Sequence, residues 1–320
     1  MMKKIESILI MVVLIFCGYE ILSESETIMS SVSYSFNIWI TNIFPSLFPF
    51  FVLSEILINY GFVELISELF KPLFEKLFKI NGNAAFIFIM SMLSGSPSCS
   101  KYTKELYLSG KISLEEADKI LMFTHFSNPL FILGTISVSF LHDKHLGLLV
   151  LISHYVANII IGILFRNYNK SNITKTKFSI KNALSKMHYK RINNNKKFGS
   201  IITSALINSI NTLLLILGVV TTFLIITTII DNNFHPSLYS KTVISGILEM
   251  TQGLKHVSLL NISNYYKALF ITAIISFGGL SVHTQVISII SETKIKYTPF
   301  LIGRILQALI ASIILSIIAL

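Results

Sequence analysis

From Ser200 to Ile230 the chain carries no charged side chain. A run of that length is long enough to cross a hydrocarbon layer of roughly 30 Å as a helix. Further apolar runs follow the same pattern. Hydrophobic residues make up 52% of the 320 residues, charged ones 13%, and the mean hydropathy is +0.70. The fold class expected is therefore an all-α polytopic membrane protein. The two cysteines, Cys17 and Cys99, give neither a disulfide framework nor metal-ligand spacing. Gly-rich phosphate loops, HExxH and CxxC patterns do not occur. With no nucleophile–base pair or metal cluster in the pattern, neither an enzyme nor a cofactor is expected.

Apolar runs that break midway constrain the fold further. Phe86–Tyr102 reads FIFIMSMLSGSPSCSKY. It begins as a membrane helix and then meets Ser94-Gly95-Ser96-Pro97-Ser98. Gly95 can take positive φ, and Pro97 cannot continue an α-helix without losing a hydrogen bond. Lys101 and Lys104 follow at once, and about 15 apolar residues do not reach across the bilayer. The stretch predicts a re-entrant hairpin that enters, breaks and returns. A short helix ending in a surface turn is the plainer alternative. Broken backbone at membrane depth is tolerated only inside protein or along a cavity, and in transporters such breaks carry the substrate site.

The N-terminal stretch Ile5–Leu22 reads as an uncleaved first helix, since no small-x-small cleavage site follows it. Residues 1–34 then form a helix and an outer loop bearing Glu20, Glu24 and Glu26. Ser35–Tyr60 is the second helix, with Pro45 and Pro49 flanking Ser46. Its Glu55 is either a site residue or a carboxylate that reaches the interface. Phe62–Asn83 is amphipathic, with Leu65, Leu69, Leu73 and Leu77 at spacing four, and lies on the inner membrane surface. Ser113 and Glu116 form a capping box that starts a helix. That helix feeds the span Ile120–Leu141, whose middle is Thr124-His125-Phe126-Ser127-Asn128-Pro129. Four polar side chains and a proline at that depth either face a ligand cavity or cap a proline kink. Leu146–Phe165 returns inward.

Arg166–Lys197 holds ten Lys and Arg and no Asp or Glu, which equals the net charge of +10. Between membrane helices this is first a topology signal and then a candidate contact for anionic lipid. It lacks the interleaved aromatics of a nucleic-acid surface, so no nucleic acid is expected. Residues 166–199 are read as a cytoplasmic linker between two halves, 35–165 and 200–320. In the second half Lys241–Leu260 is interrupted by Glu249, Thr251, Gln252 and Gly253. Tyr265–Ile290 breaks at Ser276-Phe277-Gly278-Gly279, with Ser281, His283, Thr284 and Gln285 behind. Whether it folds back or crosses is open. Each half begins with an Asn-bearing helix: Asn37 and Asn42 in the first, Asn208 and Asn211 in the second. Each later has an apolar run broken by small residues, LSGSPSCS in one and FGGLS in the other, and each ends in a clean apolar span. The leading helices run in opposite directions, which predicts two inverted repeats with hairpins and broken helices. Hydropathy common to any membrane protein is the competing explanation.

The segments NIFPSLFPFFVLSEIL, LSGSPSCSKYTKEL, THFSNPLFILG, GILEMTQGL and FGGLSVHTQV resemble the YlbJ/SpoVV family. These are sporulation integral membrane proteins with nucleoside-recognition (Gate) domains. The resemblance covers about Ser35 to Leu320. It implies a fold similar to concentrative nucleoside transporters and a role in passing dipicolinic acid across the outer forespore membrane. The expected localisation is thus that multi-pass membrane, with the basic loop cytoplasmic. Dipicolinate is a small planar dianion, and helix N-termini at hairpin tips offer it backbone N–H donors. Candidate substrate-binding residues are Ser94, Gly95, Ser96, Ser98, His125, Ser127 and Asn128 from the first half. Gly278, Gly279, Ser281, His283 and Gln285 come from the second. Glu55, Glu249 and Gln252 fit proton or cation sites, or caps for freed backbone. The plainer role for the serines is helix packing. Two other functions compete: a nucleoside or nucleobase permease using Glu249, Gln252 and Asn128, and a non-transporting scaffold that recruits partners. Homo-oligomerisation, the driving ion and the direction of transport stay open.

Overall fold

The structure, a computed structural model, describes residues 2–169 and 179–319. Helices account for nearly all of it, and no strand occurs among the described residues. Helix α1, Met2–Ser23, presents apolar side chains on every side, as a helix surrounded by lipid does. The next helix is continuous over Ser25–Asn59. It comprises α2 (Ser25–Ile38), a π-helical turn (Trp39–Ile43) and α3 (Phe44–Asn59). Pro45 explains the π turn: its ring clashes with the carbonyl four residues back, and widening the helix relieves that contact. Residues 25–34, expected as an outer loop, are instead helical. No Gly or Pro interrupts them, and Glu26 complements the helix dipole in the first turn.

Helix α4 (Phe62–Leu77) is amphipathic, as its leucine spacing predicts. Helices α5 (Asn83–Ser94) and α6 (Ser98–Leu108) fold back on each other around Gly95, so Phe86 and Tyr102 meet with ring centroids 5.5 Å apart. Gly95 has φ 77 and ψ −170, a region essentially reserved for glycine, and the Ser96–Pro97 peptide is cis. The break predicted at SGSPS is thus a hairpin tip. Helix α7 (Leu114–Phe123) opens on the expected capping box, Ser113 Oγ accepting from Glu116 N and Glu116 Oε2 from Ser113 N. The chain is then non-helical from Thr124 to Asn128 and resumes into a π-helical stretch, Phe131–Phe140. Helix α8 (Lys144–Leu164) closes the first half.

Part of the basic segment is folded. Helix α9 (Ile180–Ile192) packs along α4, with Lys186 paired to Glu68 and Asn194 Nδ2 donating to the Asn59 carbonyl at 2.9 Å. What the sequence read as a linker is, in its described portion, docked on the first half. Helix α10 (Phe198–Phe234) contains the uncharged run and lies along α2 and α3.

Helices α11 (Leu238–Leu248) and α12 (Met250–Leu259) meet at a single extended residue, Glu249. A Cβ added to Gly253 would lie 2.4 Å from the Gly246 Cα, a contact possible only if the two helices fold back on each other. The second half therefore folds back at Glu249, a turn the sequence did not mark, ahead of the break at FGGLS. That later break separates α13 (Asn264–Phe277) from α14 (Gly279–Ile290) at left-handed Gly278. The two arms take different neighbours: α13 lies on α8 and α15 (Thr298–Ile318), α14 on α6, α10 and α11. Asn264–Ile290 is one interrupted apolar segment. Among the described residues five helical segments are long and apolar enough to cross a membrane: Ser25–Asn59, Lys144–Leu164, Phe198–Phe234, Asn264–Ile290 and Thr298–Ile318.

Candidate functional site

Both hairpin tips end against a helix break. The Gly95 tip abuts Asn128, to whose backbone N an added Cβ would come within 2.9 Å. The Glu249 tip abuts Gly279, where the corresponding distance to Met250 N is 3.0 Å. The two tips and two breaks enclose a cavity of about 50 Å³, walled on the remaining side by Ser46 and Leu47 of α3 and Ile216 and Val220 of α10. A buried water requires on the order of 10–15 Å³, so this space holds a few waters.

Six of the predicted binding residues line this cavity: Ser96, His125, Ser127, Asn128, Ser281 and Gln285. Glu249 joins them. Ser96 Oγ, both ring nitrogens of His125 and Ser281 Oγ are buried and have no hydrogen-bond partner among the described residues. The Ser281 hydroxyl lies near the Glu249 carboxylate but outside hydrogen-bond geometry. Asn128 is different. Its Nδ2 donates to the carbonyls of Ser46 (3.1 Å) and Leu93 (2.7 Å), and its Oδ1 accepts from Leu130 N (2.7 Å). Asn128 thus ties α3, the first tip and the restarted helix together, and its amide has little left for a ligand. Glu249 caps α12, its Oε2 accepting from Gln252 N (2.9 Å) and Thr251 Oγ1 (2.5 Å).

The other predicted residues stand around the cavity without lining it. Ser94 donates to the Met90 carbonyl at 2.5 Å, and Ser98 is buried with an unpartnered hydroxyl. Gly278 and Gly279 have φ 90 and 68 and shape the second break. His283 bonds Tyr297 Oη (2.6 Å) and the Phe277 carbonyl (3.0 Å). Glu55 pairs with Lys101 at 2.5 Å, away from the cavity. Gln252 accepts from Thr227 Oγ1 at 2.5 Å and faces a separate pocket.

The helix ends at the cavity differ in a useful way. The N-terminus of α12 is occupied by Glu249, and the restart after Pro129 by Asn128. No side chain caps α6 at Pro97 or α14 at Gly278. In α6 the amides of Ser98 and Ser100 already bond the Gly95 and Pro97 carbonyls at 3.0 Å, so it is α14 that leaves first-turn N–H groups for other acceptors.

Behind the cavity lies a polar layer that sequence reasoning missed. His154 Nε2 accepts from Ser127 N at 3.0 Å, while its Nδ1 contacts Ser276 Oγ at 2.9 Å, so one ring joins the two breaks. Asn158 donates to the His125 carbonyl. Arg304, fully buried in α15, donates to the Met122 carbonyl at 2.9 Å and to Asn158 Oδ1 at 3.3 Å. It thereby serves carbonyls that the end of α7 leaves open, at the negative pole of that helix. Arg304 makes no ion pair among the described residues. The signal was available: Arg304 is the one charged residue inside Thr298–Ile318.

Comparison with known proteins fits this arrangement. The Gate family model, described as nucleoside recognition, matches residues 40–144, which include the first hairpin and the first break. The sporulation integral membrane protein YlbJ of Bacillus subtilis (strain 168) is 32% identical over 98% of this chain and 82% of its own length. The chain belongs to the YlbJ family of sporulation integral membrane proteins. It is accordingly an integral, multi-pass membrane protein. No solved structure matches it.

Proposed function

We propose that the protein is a transporter of small aromatic carboxylates, dipicolinate first among them, in the outer forespore membrane. The observation that carries this reading is the cavity itself. Two hairpin tips and two broken helices, one of each from either half, converge on unpartnered Ser96, His125 and Ser281. The uncapped N-terminus of α14 supplies amide donors for one carboxylate of a dianion and the Ser96 hydroxyl at the first tip a donor for the other, with roughly 0.3–1 kcal/mol from each helix dipole. Such binding is weak and releasable, which suits a carrier. Glu249 already holds the third N-terminus, so the dianion binds opposite it and Glu249 serves as a cap or proton site.

The same reading treats the halves as inverted repeats, as in concentrative nucleoside transporters. In each half a long helix, a hairpin, a broken helix and a final span follow in that order. The cross-contacts pair up as well: α6 with α14 as α12 with the Phe131–Phe140 stretch, and α7 with α15 as α13 with α8. The hairpins are then re-entrant, and the basic segment lies in the mother-cell cytoplasm.

One observation favours a second reading. No Lys or Arg lines the cavity, and its one carboxylate is Glu249. That lining also suits a neutral nucleoside or nucleobase. Proteoliposomes separate the two. Uptake of labelled dipicolinate, with uridine ignored, is the expected result; uridine uptake alone establishes the permease. No uptake of either leaves a membrane scaffold as the function.

A further inference from the structure

Helix α10 carries a second polar pocket at its end remote from the basic segment. This pocket, of about 330 Å³, opens among α2, α10, α11 and α12 and shares no lining residue with the central cavity. Its walls hold hydroxyls of Thr27, Ser30 and Thr228 and the side chains of Lys241, Lys255 and His256. Lys241 is neutralised by Asp231 at 2.7 Å. Lys255 is not: its ammonium stands 4.1 Å above the centre of the Tyr34 ring and makes no ion pair among the described residues. His256 is only 6% exposed, and its Nδ1 is buried with no hydrogen-bond partner among the described residues. The pocket therefore presents an exposed ammonium with no acid partner beside a buried imidazole, and the ammonium is the group that an oxyanion would meet.

Its position relates it to the central cavity. Gln252 lines the pocket, while its neighbour Thr251 and the capping Glu249 line the cavity. The first turn of α12 is the partition between them.

We propose that the pocket is a vestibular site for small carboxylate anions, held by Lys255 and His256 before entry to the central cavity or after release from it. The proposal rests on the central cavity being the substrate path. A lipid phosphate offers the same oxyanion chemistry, and the test separates the two sources.

Equilibrium dialysis of labelled pyridine-2,6-dicarboxylate against the purified full chain in neutral detergent provides that test. Two sites are expected. Lys255→Gln weakens one of them about five-fold or more, the scale of losing one nearby charge, and Lys255→Arg restores it. Phosphatidylglycerol added to the detergent leaves both sites in place. Displacement of the Lys255-dependent site by phosphatidylglycerol assigns the pocket to a lipid headgroup and overturns the proposal. A single site indifferent to Lys255→Gln also overturns it, while the central reading survives if proteoliposomes take up the dicarboxylate. A Lys255-dependent site in a protein that transports nothing keeps the anion site and removes the transport reading. No binding at all removes both.

Discussion

Glu55 and Lys101 face each other at 2.5 Å, with side chains only 8% and 16% exposed. Asn208 Nδ2 approaches Glu55 at 3.4 Å, and the Lys101 ammonium stands 5.5 Å from the Phe51 ring centre. The pair joins α3 to α6, so it fixes the first hairpin to the long helix beside it. A buried ion pair is costly to form but more costly to break from one side, because the remaining charge has no water. Lys101→Ala is expected to destabilise the fold by about 3–5 kcal/mol. Glu55→Gln with Lys101→Met is expected to recover most of that. Thermal unfolding of the purified variants in detergent reads both effects. Equal loss in single and double variants shows that Lys101 acts by packing its stem and not by its charge. Glu55 was visible in the sequence as an expensive acid near the membrane, but its partner was not: Lys101 lies 46 positions on, and only the hairpin fold-back brings it near.

At the scale of elements the two hairpins use different devices for the same turn. The first relies on backbone: Gly95 at φ 77 followed by Pro97. Gly and Pro are the punctuation a sequence displays most openly, so this tip was legible. The second relies on a side chain: Glu249 is extended and its carboxylate caps the helix that follows. Glu249 in an apolar run was read as an interruption; the turn it makes was not, because no breaker marks it. The visible trace was a glycine on either side of it, Gly246 and Gly253, one close approach between two arms. Helix α9 was hidden for a third reason: its charge dominated the reading and concealed a face that packs on α4. The first device gives a sharp test. Gly95→Ala sets a Cβ 2.9 Å from Asn128 N in a backbone region that costs about 1–3 kcal/mol for other residues. Gly110→Ala also sits at positive φ, 70, but meets nothing within 4 Å. Gly95→Ala is expected to keep membrane insertion, lower the unfolding midpoint by several degrees and reduce uptake at least ten-fold. Gly110→Ala should lose only stability. Matching uptake in the two variants would falsify a role for the tip–break contact.

For the whole molecule the question is which end faces which compartment. Helix α10 has 37 residues, or about 55 Å at 1.5 Å per residue, well beyond a hydrocarbon core of roughly 30 Å. Its ends must project, and they project into different chemistry. Before Phe198 lies the basic segment, ten cations without an acid, tied to α4 through Glu68 and to the end of α3 through Asn59. After Ile230 come Asp231, paired with Lys241, and Asn233, which bonds Glu20. Lys and Arg are retained on the cytoplasmic side, whereas Asp and Glu exert little pull, so the basic end is expected inside. The labelling experiment has to respect the structure. Asn194 is tied to Asn59, so the exposed Asn195 is the better site for a new cysteine, with Tyr239, 56% exposed near the other end, as its counterpart. The native thiols, Cys17 and buried Cys99, are first replaced by Ser and Ala. In intact cells a membrane-impermeant maleimide is expected to label Tyr239→Cys and to spare Asn195→Cys, and cell lysis is expected to expose both. The opposite pattern inverts the molecule: the central cavity keeps its residues, but the Lys255 pocket moves to the cytoplasmic face and becomes the entrance for a substrate made in that compartment.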